Sequence, residues 1–223
     1  MAGMFLEELA MLKRQVLAMG ALADHMVHRA VASLIDRDPS MTLEVFELEK
    51  RINKYHVGID QRCLTLLALR QPMAADLRLI AASMRINSNL ERIGDQAVNI
   101  CQTAYYHLFR EPAVPQASLV MRMAEIAKNM LRDSLIAYSS GGPSLTSGVF
   151  AQEEEEDLLK RRNVNTLVDL LARETHHAKQ FVQIILMCKN IERIADHAVN
   201  IANDVIFMAR GEDLRHLPVP VPG

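Results

Sequence analysis

Apolar residues at Leu6, Leu9, Leu12, Val16, Met19, Ala23, Met26 and Ala30 step by threes and fours, which predicts a helix over residues 5–35. Asp36-Arg37-Asp38-Pro39-Ser40 ends it, with Pro39 as the breaker. Thr42 reads as the N-cap of a second helix that carries Leu43, Phe46, Leu48, Ile52, Val57, Ile59, Leu64 and Leu67. Pro72 forbids an unbroken helix through Arg70-Gln71-Pro72-Met73. Arg70, Asp76 and Arg78 around that turn are expected to cap the next helix and to pair with one another. A third helix then runs over residues 74–109, with a seam of Leu90, Ile93, Ala97, Ile100 and Ala104 that alternates threes and fours.

Glu111-Pro112-Ala113-Val114-Pro115-Gln116 is a linker, and beyond it the pattern restarts. Helices are predicted over residues 118–138, 149–172 and 175–209. Ser139-Ser140-Gly141-Gly142-Pro143-Ser144 reads as a flexible loop, and the tail over residues 217–223 as extended chain. The second set of helices repeats the first. Asn89 to Cys101 and Asn190 to Ala202 match at nine of thirteen positions with a shift of 101 residues. Upstream the shift is 104, placing Met26-Val27 on Met130-Leu131, Glu49 on Glu153 and Asn53 on Asp157. The fold expected is therefore all-α, two tandem pseudo-symmetric three-helix bundles over residues 1–110 and 117–216, followed by the tail.

Composition agrees with helix packing. Half of the 223 residues are hydrophobic, yet there are only six Phe and four Tyr and no Trp, with 13 Met among the aliphatic residues. A net charge of −2 gives no basic field for nucleic acid. Cys63, Cys101 and Cys188 are scattered through apolar patterns and read as reduced core thiols of a cytoplasmic protein. Glu7 and Glu8 interrupt the N-terminal segment, so it does not read as a signal peptide. The apolar run over residues 181–188 is far too short to cross a membrane.

The chemistry lies in the repeated motif. Glu91, Asp95 and Asn99, and again Glu192, Asp196 and Asn200, recur at i, i+4 and i+8, one face of a helix. Like charges at that spacing repel by a few tenths of a kcal/mol, so the row favours a cation. Hard cations take about six oxygen ligands, more than one helix offers. The second helix of each half supplies more: Glu49 and Asn53 in the first, Glu153 and Asp157 in the second. An oxygen-only set favours magnesium, manganese or iron over thiolate-bound zinc. The competing reading is a solvated acidic face balanced by Arg85, Arg92 or Arg193. The run Glu153-Glu154-Glu155-Glu156-Asp157 also reads as a solvated first turn stabilised by the helix dipole, and only Glu153 and Asp157 are assigned to the stripe. His176, His177 and His197 show no convergent ligand spacing, and His25 and His28, at i, i+3, read as surface polar residues. At i+3 from Glu91 and Glu192 stand Gly94 and Ala195, not the His of a di-iron Glu-x-x-His motif, and there is no Gly-rich phosphate loop or nucleophile elbow, which argues against an enzyme.

Leu69-Arg70-Gln71-Pro72-Met73-Ala74-Ala75-Asp76-Leu77-Arg78, with the motif from Leu90 to Ile100, resembles the PhoU family of phosphate-uptake regulators. Ile191 to Ile201 with Gly211-Glu212-Asp213-Leu214-Arg215-His216 resembles it again. The resemblance implies a regulator that represses phosphate-starvation signalling when phosphate is plentiful. It implies bridging between the ATPase of the phosphate ABC transporter and a membrane sensor histidine kinase, and a homodimer. It also implies metal, iron or zinc clusters included, at Glu49 and Asn53, Glu91 and Asp95, Glu153 and Asp157, and Glu192 and Asp196. Two departures stand out. Asn53 replaces an Asp common in the family, which favours the second half as the metal site. The stretch over residues 139–147 replaces a compact turn. A metal-dependent enzyme acting on phosphate compounds and a metal-free structural bundle are the alternatives.

Overall fold

Six long helices are built from the predicted segments: α1 (Ala2–Asp36), α2 (Pro39–Arg70), α3 (Ala74–Thr103), α4 (Leu119–Ser140), α5 (Ser147–Arg173) and α6 (Ala178–Arg210). They are taken from a computed structural model that describes residues 2–212, and no strand occurs among the described residues. The family-like residues from Asp213 to His216 and the tail over residues 217–223 lie outside the described residues.

The helix ends correct the sequence reading. Pro39 opens α2 instead of merely ending α1: it occupies the first turn, where its missing N–H costs nothing. The N-cap is Asp38, whose side chain accepts from Ser40 N at 2.8 Å, and that bonding to Ser40 holds the carboxyl below its usual range. Thr42 is a buried residue inside the helix, not its cap. At the other end, α3 passes into a π-helical turn at Ala104–Leu108. The carbonyls released there are collected by Arg37, whose Nη2 donates to those of Leu108, Phe109 and Glu111 at 3.0, 3.1 and 2.7 Å. Arg70 and Arg78 do not pair around the Pro72 turn. Arg70 grips Glu8 on α1 with two bonds of 2.9 and 2.8 Å, and Arg78 Nε donates to the Met208 carbonyl at 3.2 Å. The stretch after α4 is also more ordered than a loose loop. Gly141 ends the helix at a φ of 68°, Pro143–Thr146 makes one 3-10 turn, and Thr146 is buried there.

Two three-helix bundles result, α1–α2–α3 and α4–α5–α6, joined along two seams. The apolar stripe of α3 packs on α6, and α1 packs on α4, leaving α2 and α5 as outer helices that pack mainly within their own bundles. One core therefore runs through both repeats, with Met19, Met26, Ile80, Ile93, Met130, Ile184, Ile191 and Ile194 fully buried. The α1–α4 crossing depends on Gly20: a Cβ there would lie 2.6 Å from Leu135 Cδ1. Polar ties also join the two bundles. The Tyr138 hydroxyl bonds Ser83 Oγ at 2.7 Å between α4 and α3, and His197 Nδ1 meets Asn89 Oδ1 at 3.0 Å between α6 and α3.

Candidate metal centre

In the first repeat, α3 presents Glu91, Asp95 and Asn99 half-buried in a row beside α2. Arg92, one residue along from Glu91, partly offsets the row: its Nε lies 3.4 Å from Glu91 and its Nη1 3.1 Å from Asp95. Asn99 turns its amide to Gln96 at 3.5 Å instead of extending the stripe. From α2, Glu49 is half-buried and Asn53 is exposed. Between them the floor is hydrocarbon. Ile52 is buried and lies over Gly94, where a Cβ would stand 3.3 Å from Ile52 Cγ2.

In the second repeat, Glu153 and Asp157 on α5 and Glu192 on α6 are half-buried, with Asp196 exposed at the rim and Asn200 half-buried one turn beyond. These carboxylates sense one another. Burial, then Asp196 and Asp157, push the Glu153 carboxyl above its usual range. Desolvation, then Glu192 and Asp157, push Asp196 up, although its exposure leaves that rise screened by water. Arg161 stands 3.7 Å from Asp157, and Lys160 is bonded to Glu192, an attachment that raises the Lys160 ammonium above its usual value.

The floor of this second face is the residue the sequence reading missed. Glu156 is only 2% exposed, and its Oε1 has no hydrogen-bond partner. Burial first, then Glu192, Asp157 and Asp196, raise its carboxyl to about 7, with Lys160 pulling the other way. The signal was available. The 104-residue shift sets Glu156 on Ile52 and Lys160 on His56, so the second repeat has a carboxylate at a core position of the first. The neighbouring pair differs too. Asn87 in the first repeat donates from Nδ2 to the His56 carbonyl at 3.0 Å and to Asp60 at 2.9 Å. The corresponding Cys188 is a buried thiol raised to about 12 by burial and by Glu156.

Among the described residues, no three carboxylates of either face bring an oxygen each within 4.8 Å of one another. Both faces are thus open arrays. The second fits a hard cation in donor type and charge: Glu153, Glu156, Asp157, Glu192 and Asp196 are all oxygen donors, and one of them is buried without a partner. The first has its counter-charge in Arg92. The histidines also need correcting. His25 turns to Glu44 at 3.3 Å and His28 to Lys128 at 3.2 Å, but Glu174, His176 and His177 do converge, each offering a ligand atom within 4.8 Å of the others.

A six-helix protein made of two fused copies, each with an acidic face between its second and third helices, is a duplicated helical-bundle protein. No helix among the described residues is long and apolar enough to cross a membrane. The chain belongs to the PhoU family, whose domain model matches residues 16–104 and again 120–205. A phosphate-specific transport system accessory protein PhoU homolog of Pseudomonas putida is 34% identical over 214 residues, 96% of this chain and 83% of the relative. The Escherichia coli (strain K12) accessory protein PhoU is 27% identical over 216 residues, 97% and 89% of the two chains. The crystal structure of PhoU from Pseudomonas aeruginosa superposes with a TM-score of 0.90 at 32% identity, covering 93% of this chain and all of that one. The phosphate transport system regulatory protein PhoU from Streptococcus pneumoniae gives 0.85 at 25% identity, covering 94% and 99%. These relatives are named as accessory or regulatory proteins and not as enzymes.

Proposed function

We propose that this chain is a regulatory accessory protein of a phosphate transport system, one that represses phosphate uptake and starvation signalling when phosphate is plentiful. It acts in the cytoplasm as a homodimeric helical adaptor between the transporter ATPase and a sensor histidine kinase. The relatives' named roles support the transport assignment. A cation on the second acidic face is the second part of the proposal. The observation that carries it is Glu156, a buried carboxylate with an unpartnered oxygen close to Asp157, Glu192 and Asp196. Glu153, Asp157, Glu192 and Asp196 would hold the ion, with Glu156 below them. Oxygen donors favour magnesium, manganese or iron over zinc. Once bound, the ion supplies the positive charge that Lys160 now supplies only to part of the cluster. It would join α5 to α6 through carboxylates from both helices.

Elemental analysis of the purified full chain tests the metal, with Glu192→Ala/Asp196→Ala expected to lower its content. Unchanged stoichiometry overturns the assignment of those residues. Pull-down against the cognate sensor kinase and transporter ATPase at high and low phosphate tests the adaptor. Recovery of both, stronger at high phosphate, is expected, and recovery of neither under either condition overturns it.

A further inference from the structure

The corner between α5 and α6 gathers three ligand-bearing side chains that the acidic faces do not use. Helix α5 ends at Arg173, and Thr175–His177 make one 3-10 turn before α6 begins. The backbone is tied on both sides: Glu174 N donates to the Leu170 carbonyl at 2.8 Å and His177 N to the Glu174 carbonyl at 3.0 Å. His176 and His177, adjacent in this turn, bring their rings together. Their ring centroids are 4.0 Å apart at 48°, and the Glu174 carboxylate joins them so that all three ligand atoms fall within 4.8 Å.

The cluster is supported from below. The His177 ring leans on the fully buried Phe181, with centroids 6.0 Å apart. Its Nδ1 lies 3.4 Å from Gln180 Nε2, and Gln180 is only 4% exposed. An amide oxygen and nitrogen exchange places by a half-turn. With the Gln180 oxygen facing the ring, Nδ1–H donates to it and leaves the Nε2 lone pair free. Metal-binding histidines are commonly fixed in this way, by a partner on the other ring nitrogen. Arg173 and Lys179 flank the corner and work against a cation, but neither is among the three converging side chains.

We infer that Glu174, His176 and His177 form a binding site for a borderline divalent transition-metal ion such as Zn²⁺, separate from the oxygen-only faces and different in chemistry. Two imidazoles and a carboxylate make a ligand set that zinc accepts, with a further position left for water. The site does not depend on the acidic faces carrying a metal.

The test is titration of the tag-free full chain, stripped with a chelator, with Zn²⁺ and separately with Co²⁺, whose visible absorption reports nitrogen and oxygen coordination. One equivalent of Zn²⁺ is expected to be lost in His176→Asn/His177→Asn, together with the Co²⁺ bands, while Glu192→Ala/Asp196→Ala retains both. Glu174→Gln is expected to weaken the site roughly tenfold or more without changing the helix content. The inference is overturned if the double histidine variant, folded by circular dichroism, binds as many Zn²⁺ equivalents as the parent. It is equally overturned if the lost equivalent follows Glu192 and Asp196 instead.

Discussion

The two acidic faces share a helix pair, a motif and a register, yet they rest on different floors. Under Glu91 and Asp95 lies Ile52, packed over Gly94, and Arg92 closes the charges from above. Under Glu192 and Asp196 lies Glu156, with Lys160 bonded to Glu192 at one side and an oxygen left unpartnered. The first arrangement leaves no carboxylate buried beneath it. The second keeps a carboxyl out of water, which costs several kcal/mol if it ionises alone, and its rise to about 7 records that cost. Duplication thus produced one half whose motif carboxylates share an arginine over a hydrocarbon floor and one that buries a further carboxylate beside its own. Two substitutions, Ile52 to Glu156 and His56 to Lys160, separate them at this level.

The harshest way to break the comparison is to move the floor. Ile52→Glu places a carboxylate in the first core beside His56, where no lysine waits. An uncompensated buried charge plus lost packing predicts a loss of about 3–5 kcal/mol at pH 8. Urea denaturation of the metal-free chain measures it. A loss below about 1 kcal/mol would mean that either floor tolerates a carboxylate and that the contrast is idle.

The reverse change should stabilise. Ala195 stands where the first repeat has Gly94, so a branched Ile lacks the room that Ile52 has; the unbranched Met follows the path of Glu156 better. Glu156→Met is expected to raise the stability of the metal-free chain at pH 8 by about 2 kcal/mol and to weaken cation binding at the second face. The sign with pH follows from the raised carboxyl. Between its ordinary 4.5 and about 7, the folded chain holds a proton that the unfolded chain has lost. That contribution is complete below pH 4.5 and is lost as pH rises through 7, a drop on the order of 3 kcal/mol. Glu153 and Asp196, also raised, act in the same direction, whereas His28 and His197, lowered mainly by burial, gain stability as pH rises towards 6.5. Those groups remain in Glu156→Gln, so the difference between its pH–stability curve and the parent's isolates Glu156. Parallel curves would remove it as the source.

How much of this was legible follows from what each feature depends on. The helices were readable because Leu9, Leu12, Val16 and Met19 obey a periodicity set by burial, and prolines mark the breaks. That Glu153 and Asp157 on the second repeat's middle helix sense Asp196 was readable from spacing. Glu156 was not, because a run of five acids looks like a solvated turn until the repeats are superposed residue by residue. The cap at Asp38 was hidden by Thr42, which has the right chemistry one turn too late. Glu174, His176 and His177 converge at the break between α5 and α6, where Glu174 and His177 leave helical backbone angles, and no helical periodicity reports that.

The smallest change separates the remaining two explanations for the unequal faces, the floor and the lid. Arg92 is 58% exposed on its side chain, and exposed pairs contribute about 0–1 kcal/mol, so Arg92→Ala should shift stability by less than about 0.5 kcal/mol. It nevertheless uncovers Glu91 and Asp95. If the floor decides, the uncovered first face still has only Ile52 beneath it, and Mn²⁺ titration of Arg92→Ala should show the same number of equivalents as the parent. If a new equivalent appears with an affinity matching that of the second face, the lid decides. Glu156 then tunes a site that Arg92 alone had kept closed in the first repeat.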